Sequence, residues 1–309
     1  LEASIDILPF IISNFGELNS SMTIGFYLSA IVNSNGNRDQ FPNMYVTPVT
    51  DIGPVVFDSD YQAVLDYAVL MSYGLPSDDL QIVQNQLMLD LKSNGTYATF
   101  DVLYILASDS TEDFTTINWV SPGSHTLGQN MAYNGTLGTR PRFGPSGPAS
   151  TNYNPTNDAV NYGADSGCYG FYSGERGTDP QGSGDSFVYL VDASYTILQS
   201  AGTIQRSRIN SAKLLSWGFK GSIGNFNQAD TYNVIRQNSG SASLVRDGSF
   251  VTSITNTGAT IPNSNFILGQ SSGSYTNSYI FVHIGGNLTT AQCLSLDTLI
   301  RDYQVDVVV

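Results

Sequence analysis

From about residue 115 onward, the chain is a succession of short apolar segments separated by clusters of Gly, Asn, Ser and Pro. The segments are TTINWVS, AYNGTL, GCYGFYSG, SFVYLV, LLSWGF, YNVIRQ, ASLVRDGSFVTSI, NFILGQ and YIFVHIGG. Turns that recur at this spacing are typical of an antiparallel β-sandwich. The Asp247-Gly248 pair predicts a hairpin turn, because both residue types adopt the positive φ of a tight two-residue turn. The pattern predicts a mostly β protein.

Residues 58–94 have a helical period instead. Asp58 or Ser59 caps a first helix that ends at Gly74, and Ser77 caps a second helix that ends at Gly95. The apolar residues expected on the inner faces are Tyr61, Val64, Leu65, Ala68 and Val69 in the first helix and Leu80, Val83, Leu87 and Leu91 in the second. We therefore predict a helical hairpin. The segment that follows, TYATFDVLYILAS, is apolar on both faces and is either a third helix or a buried strand.

The two ends of the chain complete the predicted organisation. Strand-like segments around the turn-rich NSNGNRDQ predict an N-terminal β arm over residues 1–57. Thr289 caps a C-terminal helix over residues 289–304. The residues expected on the inner face of that helix are Leu294, Leu299, Ile300 and Tyr303. The predicted units are thus the β arm, a helical hairpin region at 58–107 and a β-sandwich at 108–309.

Charge and composition exclude several classes of protein. Only 12% of the residues are charged, and the formal net charge is -14. Nucleic-acid binding requires clustered Lys and Arg, whereas the only close arginine pairs here are Arg140/Arg142 and Arg206/Arg208. No segment reaches the roughly 20 continuous apolar residues of a membrane span. We therefore expect neither a nucleic-acid partner nor a membrane span.

The two cysteines, Cys168 and Cys293, lie far apart and outside any metal-ligand spacing. We expect two separate buried thiols that act as small apolar residues. A single disulfide between them remains the alternative.

Four segments together resemble a known family. They are YQAVLDYAVLMSYGLPSDDLQIVQNQLMLDLKSNGTYATFDVLYILASDSTEDFTTINW, TRPRFGPSGPASTNYNPTND, SLVRDGSFV and FVHIGGNLTTAQCLSLDTLIRDYQ. Over about residues 58–304 the chain resembles phage virion structural proteins that carry a concanavalin A-like lectin or glucanase (laminin-G-like) sandwich. The resemblance implies a concanavalin-like jelly roll on the surface of a bacteriophage particle, in a capsid fibre, decoration or tail. It also implies a homo-oligomer, other virion proteins as partners, and host surface glycans as ligands.

The residues do not supply the chemistry of an enzyme. Glucanases of this fold place two glutamates on one strand face, with carboxyls about 5 Å apart. The glutamates here are Glu2, Glu17, Glu112 and Glu175, and no two share a predicted strand. A Ser-His-Asp site could use only His125, expected in an exposed loop, and His283, expected to face solvent or to be hydrogen-bonded within a strand. We therefore expect no catalytic residues and no enzymatic activity.

Two kinds of loop residue could bind a ligand, acidic residues and tyrosines. The acidic loops at 109–113 and 174–186 lack the regular oxygen spacing of an EF-hand, so we expect no cofactor, with a Ca²⁺ site left open as the alternative. Four tyrosines in or near Gly-rich loops are candidate carbohydrate-binding residues, because exposed rings stack on sugars; the alternative is that they are structural. They are Tyr153, Tyr162, Tyr169 and Tyr172.

Three functional hypotheses follow from these observations. The first is a structural component of a tailed bacteriophage particle, which displays the sandwich for host attachment. The alternative is a secreted or surface lectin-like module that binds carbohydrate. A glycoside hydrolase is disfavoured by the missing pair of carboxylates.

Overall fold

Antiparallel β-sheet dominates the structure of this chain, which is a computed structural model. The structure describes residues 55–128, 131–137, 140–145, 149–176, 185–190, 197–201, 204–208, 215–218, 230–238, 241–255, 261, 263–268 and 277–306. The predicted β arm at 1–57 therefore lies almost entirely outside the described residues.

The described residues form five α-helices and fourteen strands. The helices are α1 (Ser59–Leu70), α2 (Asp78–Ser93), α3 (Glu112–Thr115), α4 (Pro155–Asp158) and α5 (Thr290–Asp306). The strands are β1 (Phe100–Ile105), β2 (Met131–Leu137), β3 (Arg140–Pro145), β4 (Ala149–Ser150), β5 (Gly167–Arg176), β6 (Asp185–Leu190), β7 (Ile197–Ala201), β8 (Ile204–Arg208), β9 (Leu215–Gly218), β10 (Asp230–Asn238), β11 (Ser241–Arg246), β12 (Ser249–Thr255), β13 (Phe266–Leu268) and β14 (Asn277–Gly285).

The strands form two sheets of six and one ribbon of two. The first sheet has the order β1-β14-β5-β10-β11-β12, the second has the order β4-β13-β6-β7-β8-β9, and β2 pairs with β3. Every strand pair that the structure describes is antiparallel. The prediction of a mostly β protein with antiparallel strands and a few helices is confirmed.

Apart from its edge strand β12, where Phe250 and Val251 are exposed, and the ends of β10 and β11, the first sheet is buried on both faces wherever its side chains are described. One face packs on the second sheet through an apolar cluster that includes Tyr104, Phe171, Leu244, Val282, Phe266 and Leu268. The other face packs under α1, α2 and α5 through a second cluster that includes Val64, Leu87, Leu103, Tyr172, Phe281 and Ile300. The helices and the first sheet therefore share one core.

This burial explains the ambiguous segment TYATFDVLYILAS. It forms a short 3₁₀ turn, Tyr97–Thr99, followed by β1, in which all six residues are buried. A strand covered on both faces is apolar throughout and shows no alternation, so its period cannot separate it from a buried helix. The strand interpretation is the correct one.

The predicted helical hairpin is confirmed, with two corrections. Asp58 caps α1 and Ser77 caps α2 through side-chain hydrogen bonds to backbone N–H groups. Helix α1 ends at Leu70 rather than near Gly74, because the chain turns at Ser72, which has φ 61°. Val69, expected on the inner face, is exposed, since it lies on the side of α1 turned away from the core.

A chain of hydrogen bonds joins the helical layer to the sheet. The Tyr61 hydroxyl donates to Gln84 Oε1 at 2.8 Å, and Gln84 Nε2 donates to the Tyr303 hydroxyl oxygen at 3.2 Å. The Tyr303 hydroxyl in turn donates to the Ala107 carbonyl at 2.6 Å. Because Gln84 is buried, these partners satisfy a polar group that would otherwise destabilise the core.

The segment TTINWVS is not the predicted strand. Helix α3 ends at Thr115, the first residue of this segment. The residues that follow cover the edge of β1 through two hydrogen bonds to Leu103. Leu103 N donates to Asn118 Oδ1 at 3.0 Å, and Trp119 N donates to the Leu103 carbonyl at 2.8 Å. A side-chain amide thus replaces one backbone partner, which strand periodicity cannot reveal.

The hairpin and the C-terminal helix follow the sequence closely. Asp247 and Gly248 have φ values of 50° and 67°, which confirms the tight turn between β11 and β12. Thr289 Oγ1 accepts from Gln292 N at 3.2 Å, which confirms its role as the cap of α5. Leu294, expected to face inward, lies against Gly248 of the hairpin turn and is exposed. No helix among the described residues is long and apolar enough to cross a membrane.

Candidate ligand-binding site

The four tyrosines predicted to stack on sugars are all buried, with at most 3% of each exposed. The rings of Tyr153, Tyr162 and Tyr169 surround Phe266 between the two sheets, with centroids 6.1, 5.9 and 6.0 Å from its ring. Tyr172 lies on the opposite face of the first sheet, in the core beneath the helices. The expectation that these rings are exposed is wrong. An aromatic ring buries a large apolar area, so aromatic side chains beside the strands pack in the core.

The same loops nevertheless bring polar groups together at one end of the sandwich. We call this set the loop-end cluster and define it as His125, Asn152, Asn154, Asp158 and Asn263. No motif in the sequence marks these residues as a site. The Asn-rich run TNYNPTND is a local signal for a hydrogen-bonded turn, but its meeting with the His125 loop depends on tertiary contacts.

A buried carboxylate anchors the loop beneath this cluster. Asp101 Oδ1 accepts from Asn161 N at 2.8 Å, and Asp101 Oδ2 accepts from Tyr162 N at 2.9 Å and from the Tyr153 hydroxyl at 2.7 Å. Burial, reinforced by the negative charge of Asp101, raises the pKa of Tyr153 far above its ordinary value, so its hydroxyl stays protonated as a donor. The loop between Tyr153 and Tyr162 is thus tied to β1 at both of its ends.

Two residues with left-handed backbone join the loops of the cluster. His125 has φ 52° and Asn152 has φ 53°. Their contact is a hydrogen bond of 2.9 Å between His125 Nδ1 and the Asn152 carbonyl, and Asn152 Nδ2 donates to the Thr126 carbonyl at 2.9 Å. A carbonyl only accepts, so His125 Nδ1 is the donor in this hydrogen bond. Non-glycine residues in this region cost energy and are common at functional sites.

A carboxylate lies next to the imidazole. Asp158 Oδ2 accepts from Asn154 N at 2.7 Å and lies 4.0 Å from His125 Nδ1. The His125 and Asp158 side chains are 23% and 29% exposed, so both reach solvent. Asn154 Nδ2 donates to Asn263 Oδ1 at 3.0 Å, which links the cluster to a third loop. The cluster therefore offers fixed donors and acceptors, the groups that recognise a ligand rich in hydroxyls.

The second histidine, His283, is structural. His283 lies opposite Gly170 in β5, and Gly170 lies opposite Asn233 in β10. Because Gly170 has no side chain, the side chains of His283 and Asn233 meet across it. His283 Nε2 and Asn233 Oδ1 are 2.8 Å apart. Burial lowers the pKa of His283 to about 3, so the ring is neutral at physiological pH. This is the hydrogen-bonded alternative, and the solvent-facing one is wrong.

Neither metal nor thiol chemistry emerges from the described residues. Within those ranges, no group of three or more His, Cys, Asp or Glu side chains could hold a metal ion. The acidic loop at 174–186 lies mostly outside them, so the calcium alternative there stays a prediction. Cys168 and Cys293 are buried free thiols, as expected, and burial raises the pKa of Cys293 to about 12.

Comparison with solved structures finds binding domains of bacterial toxins. The binding domain of botulinum neurotoxin serotype D is 11% identical and superposes with a TM-score of 0.47 over 65% of this chain and 52% of that one. The serotype G binding domain is 14% identical, with a TM-score of 0.46 over 65% and 51%. A serotype D domain in complex with N-acetylneuraminic acid is 11% identical, with a TM-score of 0.47 over 65% and 51%.

The chain thus spans about half the length of these structures. At such identities and TM-scores, the likeness identifies neither a family nor a function for this chain. No protein-family model matches the sequence, and no curated protein matches it either. The resemblance to phage virion proteins therefore stays a prediction.

Proposed function

We propose that this chain is a lectin-like carbohydrate-binding module on a concanavalin-like sandwich, and that it binds a glycan at the loop-end cluster. The observation that supports this most directly is the convergence of an imidazole, a carboxylate and several amides at one end of the sandwich. Sugar hydroxyls donate and accept hydrogen bonds, and these groups do the same. Because they are held in place by bonds to neighbouring loops, less conformational entropy is lost when a ligand binds.

The fold is consistent with this proposal. Two six-stranded antiparallel sheets packed face to face present their connecting loops at the ends, where the strands do not constrain the choice of side chains. The formal net charge of -14 disfavours acidic glycans, so neutral hexoses and N-acetylhexosamines are the expected ligands. Attachment to a virion is compatible with glycan binding, but it is a separate hypothesis that mass spectrometry of purified particles would test.

Titration calorimetry against a panel of neutral oligosaccharides, N-acetylhexosamines and N-acetylneuraminic acid tests the proposal. Two variants remove ligand-binding groups while keeping the backbone conformation of the loops, although Asn152→Gly also removes the bond from Asn152 Nδ2 to the Thr126 carbonyl. Asn152→Gly keeps a residue that tolerates positive φ, and Asp158→Asn keeps an oxygen that accepts from Asn154 N. Each should weaken binding about tenfold or more, since a hydrogen bond to a charged or fixed partner is lost.

The matched control is Asp302→Asn, which neutralises an exposed carboxylate on α5. It should leave the affinity unchanged. The proposal fails if no sugar of the panel binds, or if a sugar binds equally well to the wild type and to both cluster variants.

A further inference from the structure

The negative charge of this chain is concentrated in one part of it. Residues 55–128 contain nine Asp and one Glu but a single basic residue, Lys92, and so carry a formal net charge of about -9. Residues 129–309 contain eleven acidic and ten basic residues and are almost neutral. Six of these ten acidic residues lie in α1 or α2 or cap α1, and three more lie in the 109–113 loop.

The one basic residue of this part lies at the far end of the helical hairpin. Lys92 Nζ is 2.6 Å from both Asp58 Oδ1 and Asp60 Oδ2, where α1 begins and α2 ends. Fourteen residues of helix separate Lys92 from Asp78, which is about 21 Å at 1.5 Å per residue. At physiological salt, screening leaves the charge of Lys92 with little effect on carboxylates at that distance. The opposite end, where α1 turns into α2, therefore keeps its negative charge.

Apolar side chains are exposed at that same end. We call them the turn patch, and they are Val69, Leu70, Met71 and Leu75, which are 62%, 76%, 44% and 39% exposed. The turn is fixed, because Gly74 N donates to Thr111 Oγ1 and Ser77 N donates to Asp109 Oδ1, each at 3.0 Å. Adjacent apolar residues that remain in solvent on an ordered turn indicate an interaction surface.

Carboxylates surround the turn patch. Asp78 and Asp79 are exposed at the start of α2, directly after the turn patch. The 109–113 loop, which bonds to Ser77 through Asp109, adds the exposed side chains of Asp109, Glu112 and Asp113. Partial burial and the neighbouring charge of Asp113 raise the pKa of Glu112, as expected where negative charge is uncompensated. An apolar centre with an acidic rim is complementary to a partner that has the same pattern with positive charge.

We propose that the turn patch and its acidic rim dock a basic amphipathic segment of a partner protein, in which apolar side chains are flanked by Lys or Arg. The apolar side chains of the segment cover Leu70 and Met71, and its cations lie over the carboxylates of Asp78 and Asp79. The rim repels an anionic membrane surface. Two copies of this chain would oppose like charges at the same surface, so self-association through it is disfavoured.

The test uses a fluorescent helical peptide with one leucine face and one lysine face, and the full chain. The affinity of the peptide for the full chain should fall as the salt concentration is raised from about 50 to about 500 mM, because salt screens the exposed carboxylates of the rim. The double variant Leu70→Ser/Met71→Ser should lower the affinity about tenfold or more through lost apolar burial. Asp78→Asn/Asp79→Asn should lower it too and flatten the salt dependence.

Controls separate this surface from general stickiness. Val160→Ser removes an 87% exposed apolar side chain from another loop, and Asp302→Asn removes an exposed charge from α5. Both should bind the peptide as the wild type does, whereas a peptide with glutamate in place of lysine should not bind. The proposal is overturned if the patch variants bind like the controls, or if the glutamate peptide binds equally well. It is also overturned if the Leu70→Ser/Met71→Ser variant instead abolishes self-association in sedimentation or binding to anionic vesicles.

Discussion

Replacing Asp101 by Asn should destabilise the protein far more than its small change in shape suggests. The carboxylate is buried and accepts three hydrogen bonds, from Asn161 N, Tyr162 N and the Tyr153 hydroxyl. An amide keeps one accepting oxygen and presents N–H donors where the other oxygen stood. At least one buried donor then loses its acceptor, at about 1–3 kcal/mol, and the bonds that remain are to a neutral group.

Together these effects should lower the free energy of unfolding by about 3 kcal/mol. Urea unfolding of the full chain, followed by circular dichroism, measures it. Tyr153→Phe removes one hydrogen-bond donor and leaves two donors to the Asp101 carboxylate. It should therefore lower the free energy of unfolding by only about 1 kcal/mol. Asp302→Asn, at an exposed position on α5, should stay within about 0.5 kcal/mol of the wild type.

The order of these variants is the decisive result. If Asp101→Asn unfolds at the same urea concentration as Asp302→Asn, then Asp101 does not hold the loop between Tyr153 and Tyr162. Because that loop carries Asn154 and Asp158, the Asp101 variant should also lose glycan affinity while it is still folded.

Four further predictions concern the core. Leu87→Asp places an unpaired charge between α2 and the sheet, and urea unfolding should show a loss of several kcal/mol; full stability would mean that this face is exposed. Gly285→Ala should lower the melting temperature by several degrees, because the added methyl group meets the backbone of the residue before β1 and of Phe100; an unchanged value would contradict the close approach. His283 is protonated near pH 6.5 in the unfolded chain but only near pH 3 in the folded protein. The free energy of unfolding should therefore fall as the pH decreases from about 6.5 to about 3. In the His283→Gln variant this fall should be smaller, by up to several kcal/mol at the low-pH end. Iodoacetamide should alkylate Cys168 and Cys293 only after unfolding, which mass spectrometry would show; rapid labelling of the native protein would contradict their burial.

Local signals determined much of the fold. The caps at Asp58, Ser77 and Thr289 and the Asp247-Gly248 turn were predictable, because each depends on hydrogen bonds or backbone preferences within a few residues. The antiparallel, mostly β character followed in the same way from the spacing of the turns.

Tertiary structure decided which faces are buried and where polar groups meet. Val69 and Leu294 fit the helical period of an inner face but lie outside the core, because the partner elements do not reach them. Tyr153 and Tyr162 lie in Gly-rich sequence but fill the space between the sheets, since burying a ring gains more than the loop composition suggests. The neighbours that determine each of these positions are distant in sequence, so no local pattern records them.

The candidate site shows the same division. The sequence by itself determined that the chain carries excess negative charge and that no pair of glutamates shares a predicted strand. Only the tertiary structure brought His125 to Asn152 and Asp158, and the α1–α2 turn to the 109–113 loop. Hydrogen bonds between segments tens of residues apart form when the two sheets and the helices pack, and that packing is a property of the whole chain rather than of any one segment.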